Sequence, residues 1–217
     1  MLIEKAGLLI SATGQTIEMV FVSAFFAIAF GLPLGVLLFI TRNPHLFYQP
    51  KTHTTLGFVV NVARSIPFII LLVAITPFTR FIVGTSIGTL AAMVPLTLSA
   101  IPFFARLVES AMNEVRSGLI EAALAMGATT AQTVWKVIIP ESRVAIVRGI
   151  TLMLITLVGY SAMAGAVGGG GLGNLAIMYG YERFEIQIMI TTVVILVLMV
   201  QCLQWGGDWV ARKLMRV

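Results

Sequence analysis

Long apolar stretches alternate along the chain with short segments that carry nearly all of the charge, and within the stretches the polar positions are hydroxyls, amides and glycines. The apolar runs are too long and too continuous for the ten-residue alternation of a membrane barrel, and they predict helices. Their uncharged lengths place five spans, at about 19–40, 56–77, 89–105, 149–167 and 186–206. The second needs an argument of its own. Only 15 uncharged residues separate Arg64 from Arg80, and at 1.5 Å each they fall short of a hydrocarbon core about 30 Å thick. The span is therefore expected to begin before Arg64 and to leave that residue near an interface, where its side chain reaches headgroups. In the first span Gly31 and Gly35 form a small-xxx-small pair for close helix approach, with Pro33 expected to bend the helix between them.

Composition agrees with the pattern. Hydrophobic residues make up 59% of the 217 and charged residues 11%, and the mean hydropathy is +1.01, far from the roughly 25% charged content of a soluble domain. The expectation is a single all-α integral membrane domain over 1–217 whose partners include membrane lipid. The net charge of +5 comes from single basic residues at the ends of apolar runs, which are topology signals rather than a nucleic-acid face. With the N-terminus outside, only Lys5, Arg80 and Arg183 of the 14 basic residues fall on the outer side. The positive-inside rule then predicts a periplasmic N-terminus and a cytoplasmic C-terminus. Cys202 has no second cysteine to pair with. The first apolar run, which begins after Glu4, Lys5 and Glu18, is too long for the core of a cleaved signal.

The segment 117–140, between the third and fourth spans, carries helix signals without the length to cross a membrane. Ser117 is a candidate N-cap, Gly127 suits the left-handed C′ position, and Thr129-Thr-Ala-Gln132 has the form of a capping box for a second short helix that Pro140 ends. Helices this short are marginal in water. Leu119, Ile120, Leu124 and Met126 therefore need a covering surface, either this chain's own helix ends or another protein.

Glu121-Ala122-Ala123, three residues, Gly127, nine residues, then Val137, Ile138, Ile139 and Pro140 resembles the EAA signature of ABC importer permeases, with conservative departures at Val137 and Ile139. The resemblance implies a type I permease fold in which this segment, with Glu121, Ala122, Ala123, Gly127 and Pro140, couples to an ATP-hydrolysing subunit. Three further stretches, Asn61 to Leu72, Pro77 to Gly88 and Thr156 to Gly173, are similar to the permeases of bacterial methionine importers. What that implies is an inner-membrane homodimer of this chain with two ATPase subunits, fed by a periplasmic methionine-binding lipoprotein and importing L- and D-methionine. The chain has no Gly-Lys dipeptide and so no P-loop. It is expected to be no enzyme and to hold no cofactor.

Other candidate chemistry is thin. Gly168 to Gly173 formally satisfies G-x-G-x-x-G but follows a membrane helix rather than a strand, and is expected to be a flexible, close-approach turn with a hinge role. His45 and His53 are expected as solvated loop residues without a metal, and Glu109, Glu114, Glu182 and Glu185 as members of solvated faces. No Asp or Glu falls inside an expected span, which argues against a self-sufficient secondary carrier, the alternative to the permease. Tyr160, Ser161 and Met163 are candidate pathway residues, because hydroxyls beside a soft thioether suit a small, partly apolar solute; ordinary packing is the other reading of the same three.

Overall fold

The computed structural model describes residues 2–215, with side chains from residue 6 onward. Arg216 and the side chains of Glu4 and Lys5 lie outside the described residues. The regular elements are helical: α1 (Leu2–Arg42), α2 (Pro50–Ser65), α3 (Phe68–Ala74), α4 (Thr76–Val83), α5 (Thr89–Asn113), α6 (Ser117–Ala125), α7 (Thr130–Thr133), α8 (Ile139–Ala166), α9 (Gly171–Leu175) and α10 (Ile186–Met215), with π-helical turns at Val134–Ile138 and Ala176–Tyr181. Four helical segments are long and apolar enough to cross a membrane, and the bent pair α2–α3 makes a fifth.

The central packing is α1 against α5, and glycine makes it possible. A Cβ on Gly35 would stand 2.6 Å from the Ala105 carbonyl oxygen and one on Gly31 would stand 2.9 Å from that of Ile101. The two backbones are thus as close as side chains permit. The helix continues through Pro33. Around this seam Met19, Leu96, Phe104, Val108, Met153 and Leu157 form one buried cluster shared by α1, α5 and α8. The apolar window of α10 is only 11% buried, so most of that helix faces lipid or another chain.

The structure differs from the hydropathy reading at several elements. Helix α1 begins 17 residues before the expected span, because Glu18 is exposed and does not interrupt it. Helix α5 runs on to Asn113, which places Glu109 inside the bundle. Helices α2 and α3 are bent by 96° at Ile66-Pro67; Pro67 lacks the N–H that would continue α2, and Ile66 before it is extended, as residues preceding proline are. Finally, Pro140 does not end the second short helix. The helix is continuous from Thr130 to Ala166. The Ile139 N–H bonds back five residues to the Val134 carbonyl, and this wider π turn gives the Pro140 ring the room an α turn would deny it.

Glu109 corrects the solvated-face reading. It is 3% exposed, and its Oε2 accepts a 2.5 Å bond from Arg106 Nη1 while Arg106 Nη2 donates to the Gly57 carbonyl at 2.9 Å. The charge can be buried because the part-buried Arg106 stands beside it, and through its bond to Gly57 that arginine fastens α2 to α5.

The glycine run makes the close approach expected of it. It is tightly packed. A Cβ on Gly173 would lie 2.3 Å from the Ala162 carbonyl oxygen, and one on Gly165 would lie 2.4 Å from the Asn174 nitrogen. Gln15 Oε1 accepts from the Gly171 N–H at 2.8 Å and Thr16 Oγ1 from the buried Leu172 N–H at 2.9 Å. The Gly88 N–H donates to the Gly168 carbonyl. Turn, α1 and the start of α5 are therefore joined into one block at this end of the bundle.

Candidate functional site

The EAA-like segment lies at the opposite end, beside the α1–α2 loop. Helix α6 starts at Ser117, one residue earlier than a Ser117 cap would give, with Arg116 at the N-cap and no side-chain cap bond. It stops as a Schellman motif does: the Ala128 N–H bonds the Ala123 carbonyl at 3.1 Å, and the Gly127 N–H bonds that of Leu124 at 2.9 Å. Gly127 has φ +86 and nothing within 4 Å of where a Cβ would be. Its glycine is required by the backbone angle and not by space. Two residues on, the capping box is complete: Thr129 Oγ1 accepts from the Gln132 N–H, and Gln132 Oε1 accepts from the Thr129 N–H at 2.9 Å. Stop and restart are thus both built from local sequence, and they set the angle between α6 and the long helix that continues into α8.

The faces of α6 divide the covering question in two. Ile120 and Ala123 are buried, Ile120 in a core cluster that also contains Val134 and Ile138. The chain therefore covers one side of α6 itself. Glu121, Ala122, Gly127 and Pro140 remain exposed, as do Leu119, Met126 at 83% and Trp135 at 65%. Trp135 was not singled out by the sequence; it stands out only because the π turn rotates it outward next to α6. Together these residues make an apolar, small-residue surface with one carboxylate at its edge. That carboxylate has a neighbour: His45 Nε2 is 3.5 Å from Glu121 Oε1. His45 is the exposed loop residue expected, with that one carboxylate beside it. His53 differs from the expectation: it is part-buried on α2 with its Nδ1 3.1 Å from the Leu38 carbonyl oxygen.

Tyr160, Ser161 and Met163 do not share a face. Ser161 is 1% exposed and its hydroxyl donates to the Val158 carbonyl of its own helix at 2.7 Å. Met163 is 47% exposed. Tyr160 is half-buried and stacks on Phe68, ring centroids 4.5 Å apart and planes 4° from parallel. The stack brings α8 against the first residue of α3, beside the break in the second span.

A family model for the binding-protein-dependent transport system inner membrane component matches residues 27–216. A protein of Vibrio cholerae named as a probable D-methionine transport system permease is 52% identical over 209 residues, 96% of this chain and 93% of that one. The D-methionine transport system permease of Escherichia coli K12 is 55% identical over 158 residues, 73% of each. Among solved structures, an inward-facing form of the MetNI methionine ABC transporter matches with a TM-score of 0.95 and 51% identity over 96% of this chain and 97% of that one. An amino acid ABC transporter matches with a TM-score of 0.80 at 19% identity over 98% and 96%, which shows a shared fold alone.

Proposed function

Because the chain belongs to the family of binding-protein-dependent transport system inner membrane components, we propose that it is the permease of an ATP-driven importer of L- and D-methionine. In this reading two copies of the chain enclose the route, and two ATP-binding subunits seat on the exposed α6 surface. A periplasmic methionine-binding lipoprotein delivers the solute at the glycine end. ATP hydrolysis belongs to the partner chain. The N-terminus is periplasmic and the α6 end, with the C-terminus, cytoplasmic.

The observation that carries the proposal is the α6 surface. Leu119, Met126 and Trp135 are exposed around Glu121 and Ala122 at the EAA spacing, on a helix whose angle is set by Gly127 and Thr129. An apolar patch of this kind on a short helix calls for a protein partner. In this reading Glu121, Ala122, Ala123, Gly127 and Pro140 transmit the partner's movement: Ala122 and Glu121 by contact, Ala123 by anchoring α6 to the core, Gly127 by fixing its angle. Pro140, next to the π turn, marks the entry of the movement into α8. Tyr160 and Met163 are assigned to the route, with Ser161 holding the helix behind them.

The experiment is reconstitution. Vesicles holding this chain and its ATPase partner, supplied with loaded binding protein, are expected to take up labelled methionine only when ATP is present. The bent second span is a feature that self-sufficient carriers also use, so the decisive control is the chain alone. ATP-independent uptake by the chain alone would overturn the assignment.

A further inference from the structure

Thr79 of α4 is 4% exposed, and its buried hydroxyl has no hydrogen-bond partner among the described residues. A helix offers a threonine an outlet that Thr79 does not take. Thr76, one turn earlier, donates its hydroxyl to the Leu72 carbonyl at 3.2 Å, and Thr16, Thr133 and Thr151 likewise bond the carbonyl four residues back. A buried hydroxyl left unmatched is costly, so the position calls for a partner.

A second unmatched group stands opposite. Pro95 lies inside α5 and has no N–H, so the Ala91 carbonyl loses the donor that a helix supplies from four residues on. Ala91 is 2% exposed, which keeps bulk water from replacing that donor. Thr76, Thr79, Ala91 and Pro95 all line one cavity of about 20 Å³ between α4, the start of α5 and the end of α8. A helical carbonyl points along the axis toward the residue four on, so the freed Ala91 oxygen opens on the wall that Ala91 and Pro95 share.

Size and chemistry then select the ligand. A water molecule needs about 10–15 Å³ and two to four polar partners; this cavity holds one and offers three, since the Thr76 hydroxyl still accepts while it donates to Leu72. We infer that the cavity is a built site for a single water molecule that joins α4 to α5. The Thr79 hydroxyl donates to the water, and the water donates one hydrogen to the Ala91 carbonyl and the other to the Thr76 hydroxyl oxygen. Gly169 of the glycine turn forms another part of the wall. The water therefore makes α4 a member of the packed block at this end, across the break at Ile75 that separates α4 from α3. The inference is independent of the importer reading.

Thermal unfolding of the complete complex separates a hydrated hydroxyl from an idle one, because Thr79→Val keeps the side-chain shape and removes only the hydroxyl. The expected result is a Tm lower by about 2–4 °C, with Thr79→Ser within about 1 °C of wild type. An idle buried hydroxyl is better replaced by a methyl, so an unchanged or raised Tm in Thr79→Val would overturn the inference. Pro95→Ala returns an N–H to the Ala91 carbonyl, and in that background the loss caused by Thr79→Val is expected to fall to about half or less. An equal loss in both backgrounds would overturn the bridge to Ala91. If the variants do not assemble, a structure of the wild-type complex that resolves ordered waters decides. Density about 2.7–3.0 Å from both Thr79 Oγ1 and the Ala91 oxygen is the expected result; a dry cavity, or a direct bond from Thr79 to a protein acceptor, overturns the site.

Discussion

The glycine turn at the α6 end and the close packing of Gly165 and Gly173 at the other end use the same residue for different reasons, although Gly168, Gly170 and Gly171 of that end share the positive φ of Gly127. At the α6 end, Gly127 has open space around it and is glycine because of its φ of +86. At the other end, Gly165 and Gly173 have no positive φ and are glycine because backbone atoms stand 2.4 and 2.3 Å from where a Cβ would be. One end is a turn specified by neighbours within six residues and left accessible. The other is a largely buried junction specified by partners as far as 156 residues away. In the importer reading this divides the labour: the accessible end receives force, and the packed end moves as a block.

That contrast can be broken by substitution, and the effects should fall in a definite order. The largest is expected at Gly173→Ala, where a methyl would have to displace the backbone of Ala162. Thermal unfolding of the purified complex should show a loss upward of about 3 kcal/mol, or no assembled complex at all. Next comes Thr16→Val, which leaves the buried Leu172 N–H without an acceptor and should cost about 1–3 kcal/mol by the same measurement, while Thr16→Ser keeps the acceptor and should stay near wild type.

The accessible end should be more forgiving in stability. Gly127→Ala forces a Cβ into the left-handed region at about 1–2 kcal/mol. Thr129→Ala removes the cap on the restart and should cost about 1 kcal/mol. Both should lower uptake by more than their stability loss explains. His45→Ala is expected to be the smallest, under about 0.5 kcal/mol, because an exposed pair at 3.5 Å contributes little.

The same division explains what could be read in advance. Gly127, Thr129 and Gln132 act on backbone groups within a few positions, so their roles are visible in a short string of letters. The apolar runs of α5, α8 and α10 are equally plain, since lipid acts on each residue separately. Gln15 and Thr16 gave no such signal; their partners are glycines at the far side of the chain, and nothing local marks them. Burial of Glu109 depends on Arg106 and on Gly57 of another helix, and the break between α2 and α3 shows only in how the chain turns at Ile66-Pro67. Hydropathy also ended the coupling segment at Pro140, because a proline reads as a stop unless the π turn before it is known.

The coupling role of the α6 end is tested most directly by one variant, Gly127→Val, in vesicles that hold the complete complex. A β-branched residue disfavours the left-handed stop and turns α6 away from its angle without touching a membrane helix. ATP-driven methionine uptake should fall to background while the complex assembles in normal amount. Wild-type uptake by a normally assembled Gly127→Val complex would contradict the claim that this turn is the lever.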